Sequence, residues 1–438
     1  MHVGLGILCR EFNWTGGMEL VKIYARAFAG DILGGKRIVR FIVLNGHAST
    51  DTTALASPAG ARVPSAPGRE YSLQEFCQAL SPQTADQGPQ LSFDRLLAEV
   101  LRDLDLSPDL ASVILAPELS GALVEQLYGR GVTALLGKEP PNPKLPMPFV
   151  GYLWDFQHRY LWQNFSRQEC FRREIMFARI LSGADVVVTN ARQVAQDVER
   201  FYPWMEPGKV FATPFAPPLA PPRAEGGPAC SERVRQAAAE PFFLVANQFW
   251  LHKDHLTAFR AIQRIAQRRP IRLLCTGVMH DERDPQHIER LKAFIAEHHL
   301  EETIALMGFV SSPELRFLME ACLAVIQPTH FEGGPGGGAV YLATGLGVRS
   351  LVSDLPVNRE ADHPLIRFFR VGDAEDLAGQ MEELLDAPPP PVDRAMVAAF
   401  VQERTRLLGD TLQRAVERAR LNFGSDQREA RQAAGALP

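Results

Sequence analysis

"HFEGGPGGGAVY", residues 330–341, sets five glycines and a proline beside the single carboxylate of Glu332. The run lies at the carboxyl end of the apolar stretch "LAVIQPT" (323–329) and opens a helix-like segment. Glycine lets backbone lie close against a partner because no Cβ stands in the way. A helix N-terminus at the same place favours an anion through its free N–H groups and dipole. A tight strand-to-helix turn is the plain alternative, but one or two glycines satisfy a turn. The stretch therefore reads as a phosphate-facing loop of a doubly wound α/β fold, where ligands sit at the carboxyl ends of strands.

Two phosphate ligands compete on these residues. "GPGGGA" (334–339) fits the G-x-G-x-x-A form of a dinucleotide fingerprint, and Asp354 ends the next strand where a ribose-binding acid would stand. Against this, the unit falls late in the chain, Pro335 stiffens the turn, and "HFE" separates strand from glycines. The absence of GK[ST] after the glycines excludes a Walker-type ATP loop. The second candidate ligand is a sugar nucleotide.

Outward from this turn, strand-like and helix-like segments alternate through the chain, which implies parallel sheets wrapped by helices. In the first half the strands are "VGLGIL" (3–8), "RIVRFIVL" (37–44), "PFVGYLW" (148–154) and "DVVVTN" (185–190). Thr189 or Asn190 is placed to cap the helix after the last of these. Met18, Val21, Tyr24, Ala25 and Phe28 recur at helical spacing in "GGMELVKIYARAF" (16–28). The second half restarts at "PFFLVANQ" (241–248), followed by a helix with Leu256, Phe259, Ile262 and Ile265 on one face. Strands "IRLLCTG" (271–277), "TIALMGFV" (303–310), "LAVIQPT" and "RSLVSD" (349–354) come next. Residues 46–92 are polar and rich in Pro, Gly and Ser, and read as a surface loop. Prolines in 214–229 block regular structure and mark a linker. The expected organisation is a first domain over 1–213, a linker over 214–240, a second domain over 241–392, a helix over 393–421 and a mobile tail over 422–438.

Composition narrows the function classes. The 438 residues suffice for two domains, and 46% hydrophobic with 22% charged residues is a globular balance. With 46 Lys and Arg against 51 Asp and Glu, the net charge of −5 argues against a nucleic-acid surface. Six scattered cysteines without a CxxC pair fit a reduced, cytoplasmic protein and no zinc site. "VGLGIL" has no basic leader, and no apolar run reaches the roughly 18 residues of a membrane span. Peripheral contact with the inner face of a membrane stays open. "HDERDPQH" (280–287) holds metal-capable side chains, but Pro285 suits a helix first turn and the charges a solvated start, so no metal is assigned. "FWLH" (249–252) is either a stacking platform or a loop anchor.

"PTHFEGGPGGGAVYLATGLGVRSLVSDLPVNRE" (328–360) resembles the donor-binding segment of the retaining GT4 glycosyltransferases, which have the GT-B fold. The similarity extends, in the family's order, to "YLWDFQH" (152–158), "ADVVVTNARQVAQDVERFYP" (184–203), "FFLVANQFWLHKDHLTAFRAI" (242–262) and "MGFVSSPEL" (307–315). It implies two Rossmann-like domains facing across a cleft. Glu332 matches the first Glu of the family's E-x7-E motif, a donor-sugar contact, while Val340, or Leu342 in the shifted alignment, stands where the second Glu would be. Lys253 matches the diphosphate-binding lysine, and Gln248 occupies the place of its companion arginine. Gly333, Gly334, Gly336, Gly337 and Gly338 would offer amides to the diphosphate in compensation. His158 resembles the first-domain histidine that contacts the donor sugar, its plain alternative being a core or capping role, and Asp155 lies three residues earlier. Gly16 and Gly17 resemble the first-domain loop near donor phosphate and acceptor. Gly308, Phe309 and Val310 resemble the segment that receives the nucleobase.

The resemblance implies a retaining, metal-independent transferase that uses no cofactor. It would move a sugar from a UDP- or GDP-linked donor to a hydroxyl on a glycan, lipid-linked or small-molecule acceptor, in bacterial polysaccharide or glycan synthesis. A GT-B sugar-nucleotide epimerase, an NAD-dependent oxidoreductase and a binding module without turnover are the rivals. An Asp155–His158 pair acting as an inverting base is the rival mechanism.

Overall fold

Every residue of "VGLGIL" is buried, as a strand covered on both faces requires, and it forms β1 (Val3–Leu8) near the middle of the first sheet. A computed structural model describes residues 2–33, 35–44, 68–80, 93–218, 230–387 and 390–435. Beside β1 run β2 (Gly30–Ile32), β3 (Gly35–Leu44), β4 (Arg69–Ser72), β5 (Ala111–Ala116), β6 (Ala134–Gly137), β7 (Phe149–Leu153), β8 (Val186–Thr189) and β9 (Val210–Ala212). Their order is β4-β5-β3-β1-β6-β7-β8-β9, with β2 on β3; β2 and β4 pair antiparallel and the other pairings are parallel.

The second sheet is wholly parallel. It contains β10 (Phe242–Ala246), β11 (Arg272–Thr276), β12 (Ile304–Gly308), β13 (Val325–Gln327), β14 (Ser350–Ser353) and β15 (Ile366–Phe369), in the order β12-β11-β10-β13-β14-β15. Each sheet reverses direction of growth beside its first strand, and the loops at those carboxyl ends face one another. Met18, Val21, Tyr24, Ala25 and Phe28 are all buried on the helix Thr15–Phe28. Phe259, Ile262 and Ile265 are buried on the helix His255–Ala266, with Leu256 packed at its margin.

Several expectations change. Within 46–92, the described residues 68–80 form β4 and a helix Leu73–Ala79, started by a capping box in which Ser72 and Glu75 satisfy each other's backbone N–H. The parts of that loop at 46–67 and 81–92, like 219–229 of the linker, lie outside the described residues. The region 230–240 carries a short helix, Glu232–Ala237. Strands β5, β6 and β15 were not anticipated, because "ASVILA", "ALLG" and "IRFF" are short apolar runs without periodicity. The last helix does not stop near 421 but runs from Arg394 to Gly435. Asn422 donates to the Asp185 carbonyl at 2.8 Å and Lys144 pairs with Asp426 at 3.1 Å, so the start of the expected tail bonds to the first domain.

That helix lies against Thr15–Phe28 so closely that a Cβ on Gly409 would stand 2.1 Å from the Ala27 carbonyl oxygen. Gly409→Ala should therefore destabilise the protein by about 1–3 kcal/mol through overpacking. Gly379 lies inside the helix Ala374–Asp386 with nothing within 4 Å of an added Cβ, so Gly379→Ala should stabilise by about 0.5–1 kcal/mol. Denaturant unfolding of the two variants side by side checks the contrast.

Candidate active site

The turn after β13 is organised by one buried ion pair. Lys253 Nζ lies 2.6 Å from Glu332 Oε1, with the side chains only 10% and 7% exposed. Gln327 Nε2 donates to the same oxygen at 2.7 Å, and its own Oε1 accepts from Asn247 Nδ2 at 2.9 Å. A chain of side chains thus links the ends of β10 and β13. Lys253 belongs to a single turn, Leu251–Lys253, whose His252 carbonyl accepts from the Thr329 hydroxyl and the His330 amide. Asp254, in a left-handed conformation, caps the following helix by accepting from the Thr257 amide.

Glycine is required at two points of the turn by different causes. Gly337 has φ +64°, and its Cβ would fall 2.9 Å from Glu332 Oε2. Gly333 lies against the first domain, where a Cβ would meet the Trp154 carbonyl at 2.8 Å and Asp155 Cβ at 2.9 Å. Gly334 faces Asn190 in the same way, at 3.3 Å. Two of the amides expected to be free are spent internally: Gly336 N donates to Asn358 Oδ1 at 2.9 Å and Gly337 N to the Gly334 carbonyl at 3.2 Å. Gly338 differs from its neighbours, being exposed with nothing within 4 Å of its Cβ position.

On the first-domain side, His158 and Asp155 do not form a pair. His158 is 2% exposed and its Nε2 lies 2.7 Å from Glu174 Oε1. Asp155 instead accepts from the Gln157 amide at 2.9 Å, with Arg173 3.8 Å away, and burial raises its pKa. Glu174 also takes Arg159 and Tyr202, and despite its burial these donors hold it below the usual carboxylate range. A carboxylate can only accept, so Nε2 carries the hydrogen. Burial pushes the His158 pKa down, against the pull of Glu174, which leaves Nδ1 a bare acceptor without a protein partner. Asp155 and His158 thus keep separate hydrogen-bond partners in this structure.

The remaining expected residues fall into two groups. Gly16 and Gly17 open the helix Thr15–Phe28 beside Trp14, with the Gly17 Cβ position 2.6 Å from that ring. Gln248 Oε1 accepts from the Val278 amide at 3.2 Å. The Gly308 carbonyl accepts from Gly277 N at 2.9 Å; Phe309 is 74% exposed and Val310 is buried. Val340 is fully buried beneath Gly336, so that position offers no carboxylate. Among the described residues no three His, Cys, Asp or Glu side chains cluster as metal ligands. In "FWLH", Phe249 stacks on His255 inside the core, while Trp250 stays 41% exposed beside His252.

Sequence reading missed three contacts across the cleft. The expected cap at Thr189 or Asn190 is absent; Ala191 holds the N-cap position, and the Glu360 carboxylate from the second domain accepts from Arg192 N and Gln193 N at 2.8 Å each. Tyr160 packs on Phe331 with ring centroids 5.7 Å apart. Arg283 of "HDERDPQH" reaches the Phe165 ring at 4.2 Å, held at its base by Asp281, which also accepts from Leu251 N. No local pattern marks these partners, since each sits across the cleft in another domain.

Residues 231–399 match the family described as Glycosyl transferases group 1. Among solved structures, sucrose-phosphate synthase from Thermosynechococcus elongatus superposes with a TM-score of 0.53 at 14% identity, over 99% of this chain and 100% of that one. Anabaena Alr3699/HepE in complex with UDP-glucose gives 0.51 at 13% identity, over 99% and 100%. The same protein with UDP and glucose gives 0.50 at 12%, over 100% and 99%. At such identities the likeness is one of fold. No curated protein matches the chain. The class is a GT-B fold of two Rossmann-like α/β domains. With the group 1 region in its second domain, the protein is a glycosyltransferase. Among the described residues no helix is long and apolar enough to cross a membrane.

Lys253→Ala should leave the buried Glu332 carboxylate uncompensated and cost about 3–5 kcal/mol, much of it recovered in Lys253→Ala/Glu332→Gln. Thermal unfolding of the single and double variants reads this directly. For His158, the folded pKa lies below the unfolded value near 6.5. Its contribution to stability is therefore full above that pH and is lost as pH falls through it toward the lower folded value. The acid-side decline in melting temperature should be shallower in His158→Gln.

Proposed function

We propose that the protein is a retaining, metal-independent glycosyltransferase that moves a sugar from a nucleoside-diphosphate sugar to an acceptor hydroxyl. The observation that carries this reading is the Lys253–Glu332 pair, set in a glycine turn pressed against Trp154 and Asp155 of the other domain. A sugar nucleotide laid along that turn meets a cation for its diphosphate and a carboxylate for its sugar hydroxyls. The complexes of Anabaena Alr3699/HepE with UDP and UDP-glucose favour a UDP-linked donor. The exposed Gly338, which no protein contact explains, lies at the N-terminus of the helix Gly337–Leu346 and leaves room for phosphate oxygens. The exposed Phe309 ring offers a face to the nucleobase.

Transfer breaks the bond between the anomeric carbon and the diphosphate oxygen through an oxocarbenium-like transition state. Lys253 and the helix end stabilise the departing diphosphate without a metal. An acceptor hydroxyl on the same face gives its proton to the leaving phosphate oxygen and its oxygen to the anomeric carbon, so configuration is retained. His158 orients the donor sugar on this reading, while Glu174 fixes the imidazole. The reaction belongs to glycan or polysaccharide synthesis in the cytoplasm, with the acceptor delivered from solution or from the inner membrane face. A second reading, a sugar-nucleotide-binding module without turnover, is favoured by the neutral Gln248 standing where the resemblance expects an arginine.

A panel of UDP-, GDP-, dTDP- and ADP-sugars with NAD should show stabilisation by a sugar nucleotide, and NAD alone stabilising would sink the reading. Proton NMR of the first-formed product should show the donor's anomeric configuration preserved. Turnover should survive EDTA; loss restored by magnesium or manganese would place a metal at the diphosphate. Binding without any turnover would leave the module.

A further inference from the structure

At the carboxyl ends of β1, β6 and β7 the first domain holds an aromatic cluster that nothing above uses. Trp14 and Tyr152 stack with centroids 6.5 Å apart, Tyr152 and Trp154 at 6.4 Å, and Trp14 meets Trp154 at 6.5 Å. Phe12 also stacks on Trp14 at 5.8 Å, and with Trp14 38% exposed part of the indole still reaches the rim. Lys138 leans over these rings, its Nζ 4.8 Å from the centre of Trp14 and 5.6 Å from that of Trp154. Among the described residues no oxygen accepts from this ammonium. The nearby Glu11 Oε2 accepts from the backbone amides of Lys138 and Glu139. A half-buried ammonium resting only on ring faces keeps its donors unspent. Burial holds its pKa below the ordinary lysine value, against the pull of Glu11, and an anion brought alongside would restore it.

The place of the cluster matters as much as its chemistry. The Trp154 carbonyl is the group that Gly333 packs against, so the rings sit directly across from the proposed donor turn. We propose that Trp14, Trp154 and Lys138 form the acceptor subsite, and that the acceptor is an anionic saccharide bearing a phosphate or a carboxylate. Its pyranose C–H face packs on the indole by dispersion, and its anionic group takes hydrogen bonds from Lys138 in exchange for the weaker cation–π contact. This rests on the glycosyltransferase reading of the cleft. The same ammonium could in principle meet the donor's diphosphate, and the experiment separates the two sources.

Full-length protein saturated with UDP is titrated with glucose, glucuronate and glucose 6-phosphate, and tryptophan fluorescence is followed. At least one charged sugar should bind about 10-fold or more tightly than glucose, as a charge-assisted bond implies. Lys138→Met, which keeps the apolar stem on the rings, should abolish that preference, and Lys138→Arg should keep it. Trp14→Ala should weaken all three sugars. UDP affinity, measured separately, should change by less than about twofold in Lys138→Met if the donor makes no charge-assisted bond there. Equal binding of charged and neutral sugars, binding of none of them, or a preference that survives Lys138→Met overturns the proposal. A matching loss of UDP affinity would move Lys138 to the diphosphate and also overturn it. Failure of the parent protein to bind any sugar nucleotide would instead strike the functional reading.

Discussion

An ammonium and a carboxylate 2.6 Å apart, both about nine-tenths buried, form the constraint around which the second domain's ligand face is built. Taking either charge out of water alone is costly, so each makes the other tolerable only if the chain delivers both to one point. That demand reaches into the backbone. Lys253 comes from a single turn beyond β10 that is pinned by Thr329 and His330, the residues that follow β13. Gln327, the last residue of β13, adds a second donor to Glu332. Glycine at 337 follows, because any side chain there would press on the carboxylate while occupying a left-handed conformation.

The two domains meet in part through groups of the same kind. Gly333 and Gly334 let one domain's backbone approach Asp155 and Asn190 of the other. Glu360 satisfies two amides at the start of the helix Arg192–Phe201, where a capping side chain would ordinarily come from the helix's own sequence. Beside these polar contacts, Val357 and Leu355 of the second domain pack into a core cluster of the first and Tyr160 packs on Phe331, so the junction is part polar and part apolar. Arg283, carried on a loop steadied by Asp281, lies across the same gap on Phe165.

Much of the fold was legible where the physics is local. Periodic burial marked the helix Thr15–Phe28, and apolar runs, interrupted in β3 by Arg40, marked β1, β3, β7 and β8. The same rule failed for β5, β6 and β15, whose four to six mostly apolar residues fit a strand or part of a buried helix equally well. The site was legible in its composition and less so in its bonds. Lys253 and Glu332 were singled out for separate duties, whereas they are bonded to each other. His158 was paired in thought with Asp155 because three residues separate them, but the chain turns there and the ring finds Glu174 on the next helix.

The sequence by itself determined the alternation of strands and helices, the glycine turn after β13, and the presence of a lysine and a glutamate at the two strand ends. These follow from local backbone freedom and from the periodicity of burial. Only the tertiary structure decided which charges meet, that the amides of Gly336 and Gly337 turn inward to Asn358 and Gly334, and that Glu360 rather than Thr189 or Asn190 caps the helix across the cleft. It also decided that Trp14, Trp154 and Lys138 share one face. The reason is common to all of these: a hydrogen bond or ion pair depends on where two chain segments arrive in space. Lys253 and Glu332 lie 79 positions apart and Arg192 and Glu360 168, so no local pattern records their meeting.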